Sequence, residues 1–273
     1  MLDNRLKKCA ELVSGKGIAA DVGTDHALLA AELIQSGKCE KVIASDIKEG
    51  PLESAARTVE KYGLSDKIDL ILSNGLENVP LEGVTDIVIA GMGGENIAEI
   101  ISVESRIDSD SDVRLILQPM SKPEFLRKQL YCNGFVITSE SVIEDGDKLY
   151  IVMTAEPSDD GEKLTETEAL YGFFDDDDPL AQKYRKREAE RLAKIAENLE
   201  KGGKHDGSVH FKAMSCRMVN GSDSVKISEL YDFLDSVYPF DLQEKWDNSG
   251  LLVENTTMTC RHIMLSLDIT IQS

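Results

Sequence analysis

The chain is short of aromatic residues, basic residues and long apolar runs, and each shortage removes a class of explanation. No apolar stretch approaches the roughly 18 residues that a membrane-spanning helix needs. The first residues, Met1-Leu2-Asp3-Asn4-Arg5, carry no apolar signal-peptide core. Cysteine is sparse: Cys9, Cys39, Cys132, Cys216 and Cys260 are scattered, odd in number and form no CxxC pair. That pattern argues against a disulfide framework and against a zinc site. Together these absences predict a protein of the reducing cytoplasm with no membrane partner. Lys and Arg number 30 against 50 Asp and Glu, a net charge of −20. So acidic a chain repels nucleic acid at long range, so any nucleic-acid contact has to be a local basic patch. The dinucleotide fingerprint GxGxxG is also missing.

With 273 residues, 41% of them hydrophobic, the chain has enough material for one large domain or two smaller ones. Much of the acid is clustered, at Asp108-Ser109-Asp110-Ser111-Asp112, at Glu144-Asp145-Gly146-Asp147 and from Asp175 to Asp178. The spacing does not match a calcium loop, so these read as solvated loops.

The rest is organised around Ile18-Ala19-Ala20-Asp21-Val22-Gly23-Thr24-Asp25-His26-Ala27. Ile18 to Val22 reads as a buried strand, Gly23 as a turn that takes positive φ without steric cost, and Thr24 or Asp25 as the cap of the following helix. A strand feeding a helix through a glycine turn is where α/β sheets hold nucleotides, with an acid about 20 residues further on for the ribose hydroxyls. Asp46 lies 23 positions beyond Gly23, at the end of the run Val42-Ile43-Ala44-Ser45. Alone, this stretch serves equally well as an ordinary first βα unit with Asp25 as a structural cap.

Further apolar runs at Ile68–Leu72, Asp86–Ala90 and Val113–Gln118 alternate with helical segments at Ala27–Ser36, Gly50–Tyr62, Gly94–Val103 and Pro123–Cys132. A first amphipathic helix spans Leu2 to Val13. Near-continuous Val, Ile and Leu runs separated by helices predict a parallel, doubly wound sheet of five strands. After Asn133-Gly134 the pattern changes to two strands, Phe135–Ile143 and Lys148–Ala155, joined at an acidic tip as an antiparallel hairpin. Three stretches should meet Gly23–His26 at the strand ends: Asp46-Ile47, Ser73-Asn74-Gly75-Leu76, and Ala90-Gly91-Met92-Gly93-Gly94-Glu95. The three glycines of the last let a backbone pass close to a ligand, or simply make a tight loop into a helix.

Beyond the hairpin, Glu156 to Gly161 is a polar break, and Thr165–Phe174 and Pro179–Lys201 read as helices. Between Gln182 and Lys204 eight bases, Lys183, Lys186 and Arg187 among them, face four acids. This is either a solvated helix laced with ion pairs or a phosphate-contacting surface. Gly202 to Ser224 shows no clear period and reads as a linker. It carries His205, His210 and Cys216 without a fourth ligand at zinc spacing. A helix from Val225 through Val237, a turn at Pro239 and a strand at His262–Leu267 are expected after it.

These residues together resemble the bacterial tRNA methyltransferase family that modifies N1 of adenine 22. The resemblance covers Leu2 to Leu199 and rests on Asn4-Arg5-Leu6, Ala20-Asp21-Val22-Gly23-Thr24-Asp25-His26-Ala27, Ile89-Ala90-Gly91-Met92-Gly93-Gly94, Leu115-Ile116-Leu117-Gln118-Pro119 and Leu126-Arg127. It implies a Rossmann-like class I methyltransferase sheet of five parallel strands plus an antiparallel hairpin, with a helical C-terminal appendage. It implies S-adenosyl-L-methionine as methyl donor and tRNA as acceptor, met by a local basic surface. Asp21, Gly23, Thr24, Asp25 and His26 would line the donor site, with Ile47, Leu76, Ala90, Gly91, Met92 and Gly93. Asp46 would bind the ribose, and Asn74-Gly75 the donor's adenine. Relatives usually have an acid where Asn74 stands, and an aromatic and a proline where Leu28 and Ala30 stand. Neutral adenine N1 already carries an in-plane lone pair, so the reaction calls for alignment and for a carboxylate facing the charge that develops. Asp25 is the first candidate and Glu95 the second. Gln118 is a candidate to hydrogen-bond the flipped base, Arg5 to hold a phosphate, and Lys183, Lys186 and Arg187 to meet the tRNA.

Val225-Lys226-Ile227, Trp246-Asp247-Asn248-Ser249-Gly250-Leu251-Leu252 and Leu267-Asp268-Ile269-Thr270 are similar to the start of the dinuclear-metal family called GTP cyclohydrolase type 2-like. That family's histidine-rich metal motif has no counterpart here, so no metal is expected. The expected organisation is a methyltransferase domain over 1–157, a helical appendage over 158–204, a linker over 205–224 and the beginning of a second domain over 225–273. Three other readings remain at this point: a methyltransferase for a small molecule or protein, a non-catalytic nucleotide-binding module, and a metal hydrolase resting on the tail.

Overall fold

The computed structural model describes residues 2–159, 163–220, 225–226 and 259–260. In chain order the first elements are α1 (Asn4–Leu12), β1 (Ile18–Val22), α2 (Leu28–Gln35), β2 (Val42–Asp46), α3 (Glu49–Tyr62) and β3 (Ile68–Leu72). Then come β4 (Val84–Met92), α4 (Gly94–Ser102), β5 (Arg114–Pro119), α5 (Pro123–Cys132), β6 (Phe135–Asp145) and β7 (Lys148–Pro157). The helices α6 (Glu166–Tyr171), α7 (Pro179–Lys201) and α8 (His205–Asn220) and the two-residue strands β8 (Val225–Lys226) and β9 (Thr259–Cys260) complete the described chain.

The sheet runs β3-β2-β1-β4-β5-β7-β6. β1 to β5 pair in parallel, and β7 and β6 close the sheet antiparallel. Successive residues of a strand point to opposite faces, so each central strand feeds two apolar layers. Ile87, Ile89, Leu115 and Leu117 join Ile97 and Ile101 of α4 and Leu126 and Leu130 of α5 in one layer. Val88 and Ile116 join Cys9 of α1, Leu29 and Leu33 of α2 and Val59 of α3 in the other. Covered on both faces, the strands carry the near-continuous apolar runs that betrayed them in the sequence. The chain reverses direction across the sheet between β1 and β4, which leaves a crevice at their carboxyl ends.

The chain divides into two compact units, Met1–Tyr184 and Arg185–Ser273. The first unit thus runs past the domain edge expected at 157, and the reason is a buried ion pair. Arg127 of α5 and Glu140 of β6 have no solvent exposure, and Nε donates to Oε1 at 2.9 Å. The same guanidinium donates to the carbonyl of Ala169, and the other Glu140 oxygen accepts from Phe173 N–H at 2.8 Å. These bonds fasten α6 and the turn after it to the sheet. Phe174, Ala181 and Tyr184 then enter its core.

In the second unit, the stretch read as a linker is the helix α8. Ser215 Oγ donates to the carbonyl of Ala189 at 2.8 Å, and Lys212 pairs with Glu200 at 2.8 Å. Leu192, Met214 and Met218 are buried. His205, His210 and Cys216 are therefore helical, and among the described residues no group of three His, Cys, Asp or Glu side chains is placed to hold a metal. Val225–Lys226 is a strand paired antiparallel with Thr259–Cys260, where a helix start was expected. The helix read over Ile227–Val237, the turn at Pro239 and the strand at His262–Leu267 lie outside the described residues, as do most of the residues of the second resemblance. Among the described residues no helix is long and apolar enough to cross a membrane.

Candidate active site

The turn after β1 is tied to the neighbouring strand: Gly23 N–H and Thr24 N–H both donate to the carbonyl of Ser45, at 2.8 and 2.9 Å. Gly23 sits at φ +81°, and a Cβ there would lie 2.0 Å from the Met92 Cε. The glycine is thus required by its dihedral and by the methionine laid over it. Thr24 is buried, and its Oγ1 accepts from Ala27 N–H at 3.0 Å. Asp25 does not cap α2, contrary to expectation. The helix begins at Leu28, one residue after the expected Ala27, with Ala27 in the left-handed region and no side-chain cap. That frees Asp25, which stands exposed with its Oδ2 3.2 Å from His26 Nε2. Asp21 points into the protein. Burial pushes its carboxyl up to about 6, against the hydrogen bond from Thr24.

A cavity of about 790 Å³ opens at the strand ends. Of the donor-site residues read at the strand ends, Gly23, Asp46, Ile47, Asn74, Gly75, Leu76 and Met92 line it, while Asp21, Thr24, Asp25, His26, Ala90, Gly91 and Gly93 do not. One Asp46 oxygen accepts from Lys48 N–H at 2.8 Å. The Asn74 amide donates to Glu77 Oε1 at 2.8 Å, which orients its own carbonyl oxygen as an acceptor. Gly75 is at φ +56°, and a Cβ there would press on Ile100 at 3.0 Å.

Other lining residues escaped the sequence reading. Asn96, Glu99, Ile100 and Val103 of α4 and its C-cap form the cavity's far wall, and Glu104-Ser105-Arg106 its edge. The first four recur at helical spacing, opposite the core stripe of Ile97, Ala98 and Ile101, and that second stripe was the available signal. Arg106 donates to the carbonyls of Val79 and Leu76, at 2.9 and 2.6 Å, and so staples this loop to the one after β3.

The glycine run after β4 divides into three jobs. Gly91 is a bulge at φ +79°, Gly93 is the N-cap of α4, and Gly94 is a close approach of two loops. A Cβ on Gly94 would lie 2.5 Å from the carbonyl oxygen of Lys122, so backbone packing rather than a ligand demands this last glycine. Glu95, the second candidate carboxylate, is exposed and pairs with Lys122 Nζ at 2.6 Å.

Gln118 is fully buried, not open to a base. Its Oε1 accepts from Arg5 Nη1 at 2.8 Å and from Gly91 N–H at 3.1 Å, and its Nε2 donates to the carbonyl of Pro119 at 2.9 Å. Arg5 in turn pairs with Asp3 and lies 5.0 Å from the centre of the Tyr150 ring. Of the bases read on α7, Lys183 pairs with Glu144 of the hairpin tip and Arg187 with Glu188, while Lys186 is exposed. Exposed pairs of this kind contribute about 0–1 kcal/mol, so a phosphate competes for these cations readily.

A parallel sheet with its switch point beside a glycine turn, an acid at the end of the neighbouring strand and a closing antiparallel hairpin define a Rossmann-like methyltransferase. Residues 2–153 match the methyltransferase domain family. The tRNA (adenine(22)-N(1))-methyltransferase of Bacillus subtilis is 36% identical over 158 residues, which cover 58% of this chain and 66% of that enzyme. A Streptococcus pneumoniae protein proposed as a tRNA (m1A22) methyltransferase, solved in complex with S-adenosyl-L-methionine, is 33% identical with a TM-score of 0.71. The match covers 81% of this chain and all of that one, 100%. The chain belongs to the tRNA (adenine(22)-N1)-methyltransferase family. Residues 225–273 match a second family, Duf34/NIF3 (NGG1p interacting factor 3). There a Campylobacter jejuni GTP cyclohydrolase 1 type 2 homolog is 49% identical over 45 residues, 16% of this chain and 19% of that protein.

Proposed function

We propose that the chain transfers a methyl group from S-adenosyl-L-methionine to N1 of adenine 22 in tRNA, in the cytoplasm. The observation that carries this is the convergence of Gly23, Asp46, Asn74 and Met92 on one cavity at the switch point of the sheet. The residues fit the donor. The volume suits a nucleoside-sized ligand, Asp46 keeps an oxygen for ribose hydroxyls, and the Asn74 carbonyl oxygen accepts an adenine amine. Asn in place of the family's usual acid preserves that acceptor.

When bound, the donor supplies an electrophilic methyl on a sulfonium. This chain's residues have to align the acceptor and answer the charge. Adenine N1 is on the pairing edge, so the base leaves any helix before reaction. The N1 lone pair needs no general base, and alignment supplies much of the acceleration. Positive charge moves onto the adenine, and a carboxylate facing it lowers the barrier. Asp25 takes that role in preference to Glu95, because Lys122 already neutralises Glu95. The exposed bases of α7, Lys183, Lys186 and Arg187, supply a local positive surface for tRNA phosphates in an otherwise acidic chain.

The test is incubation with labelled donor and unmodified tRNA followed by nucleoside analysis. N1-methyladenosine at position 22 is expected, and its absence overturns the acceptor. Calorimetric titration with S-adenosylhomocysteine reads the donor site separately. Asp46→Ala should weaken it by about 10- to 100-fold, the scale of a lost hydrogen bond to a charged group. Unchanged affinity would remove Asp46 from the site.

A further inference from the structure

The pairing of β4 with β5 slips at Gly91: Ala90 stands opposite Gln118 and Met92 opposite Pro119, leaving Gly91 between them. A bulged residue loses its ladder partner, so the N–H of Gly91, an exposed residue, has to find another acceptor. Gln118 resolves this with its side chain, whose Oε1 takes the Gly91 N–H at 3.1 Å. The same oxygen takes Arg5 Nη1 at 2.8 Å, and Gln118 itself has no solvent exposure. Arg5 is held from behind by Asp3, the residue that also caps α1 by accepting from Leu6 N–H at 2.9 Å. Downstream of the bulge, Met92 turns over Gly23 and into the wall of the cavity, and its carbonyl accepts from Met120 N–H at 2.7 Å.

We propose that Arg5 and Gln118 are positioning residues for the donor pocket: Arg5 fixes the Gln118 amide, Gln118 fixes the Gly91 bulge, and the bulge holds Met92 across the Gly23 turn. This rests on reading the cavity as the donor site. It gives Arg5 a task different from holding a tRNA phosphate and Gln118 one different from contacting the base. It also ties the N-terminal helix α1 to a pocket none of its residues lines. The amide is well suited to the task. A carbonyl oxygen has two lone pairs, enough for both donors, while Nε2 is anchored on the carbonyl of Pro119 at 2.9 Å, so the group cannot flip without losing three bonds.

The full chain and its variants Arg5→Met, Gln118→Met, the double variant and Gln118→Glu are titrated with S-adenosylhomocysteine by calorimetry, and binding of unmodified tRNA is measured without donor. Each single Met variant should bind S-adenosylhomocysteine about tenfold more weakly, the order that one buried hydrogen bond contributes. The double variant should be no weaker than the worse single one, because both break the same chain of contacts. Gln118→Glu keeps an acceptor facing both donors but loses the bond to the Pro119 carbonyl, so it should recover only part of the affinity, more than Gln118→Met. tRNA binding should be unchanged throughout. Weakened tRNA binding by Arg5→Met with S-adenosylhomocysteine unaffected would make Arg5 a phosphate contact and overturn the proposal, as would additive losses. If Gln118→Met does not fold, Arg5→Met alone decides between these outcomes. The titration uses no acceptor, so it reads the relay whatever the chain methylates. A wild-type chain that binds no S-adenosylhomocysteine overturns the donor-site reading and the proposal with it.

Discussion

Met92 Cε lies 2.0 Å from where Gly23 would carry a Cβ, with Gly23 at φ +81°. Two independent constraints therefore act on one position. Gly23→Ala should cost about 1–2 kcal/mol from the left-handed backbone alone. It should also push Met92 into the cavity. The expected result is loss of S-adenosylhomocysteine binding by more than the stability change explains, read by calorimetry beside a thermal melt. Gly37→Ala is the control: it is also at positive φ, at +71°, but with nothing within 4 Å, and it should lose stability without losing binding.

Asp25 and Glu95 are both exposed carboxylates near the strand ends, but only Glu95 is paired with a lysine. Asp25→Asn should lower kcat for N1 methylation on the order of 100-fold, the scale of one lost electrostatic partner of a transition state. Glu95→Gln should have a far smaller effect. Steady-state kinetics on unmodified tRNA check this, and the reverse ranking would exchange their roles.

Asp21 is buried, and burial raises its carboxyl to about 6 from an ordinary value near 3.8. A raised folded-state value means that the folded protein resists ionising this group while the unfolded chain does not. Its contribution to stability is therefore greatest below about pH 4 and is lost as pH rises toward 6. Above that, wild type carries a penalty of roughly 3 kcal/mol. Asp21→Asn should match wild type at pH 4 and melt higher at pH 7. Thermal melts of the two chains across that range check it, and a constant difference would mean that the charge is not the cause.

Arg127 and Glu140 form an ion pair with no solvent exposure. Removing one partner leaves the other buried and uncompensated, so Arg127→Met should destabilise the first unit by about 3–5 kcal/mol. Hydrogen exchange should quicken first in residues 166–174, which this pair fastens to the sheet. Equal loss of protection across the sheet would argue against that local role.

Much of the fold was legible because it is written in local pattern. Ile18–Val22 and Ile68–Leu72 stand where their apolar runs put them, and Pro123–Cys132 and Pro179–Lys201 are helices over their full expected lengths. The stretch His205–Asn220 was not legible as a helix. Gly202, Gly203 and Gly207 suggest a break, and the spacing of Met214 and Met218 shows its meaning only once both are buried and Ser215 is bonded to the carbonyl of Ala189.

By itself the sequence determined which residues end strands, since burial on both faces forces continuous apolar runs and the first polar or glycine residue marks the exit. That was enough to set Gly23, Asp46, Asn74 and Met92 at one edge of a parallel sheet. The tertiary structure alone decided what each side chain does there. Asp25 is released from capping because α2 starts at Leu28, and Gln118 is turned inward because a bulge across the ladder leaves Gly91 N–H in need of an acceptor. Arg5 and Gln118 are 113 positions apart. Periodicity reports only on neighbours within a few turns, so a contact of that range is settled by how the layers pack.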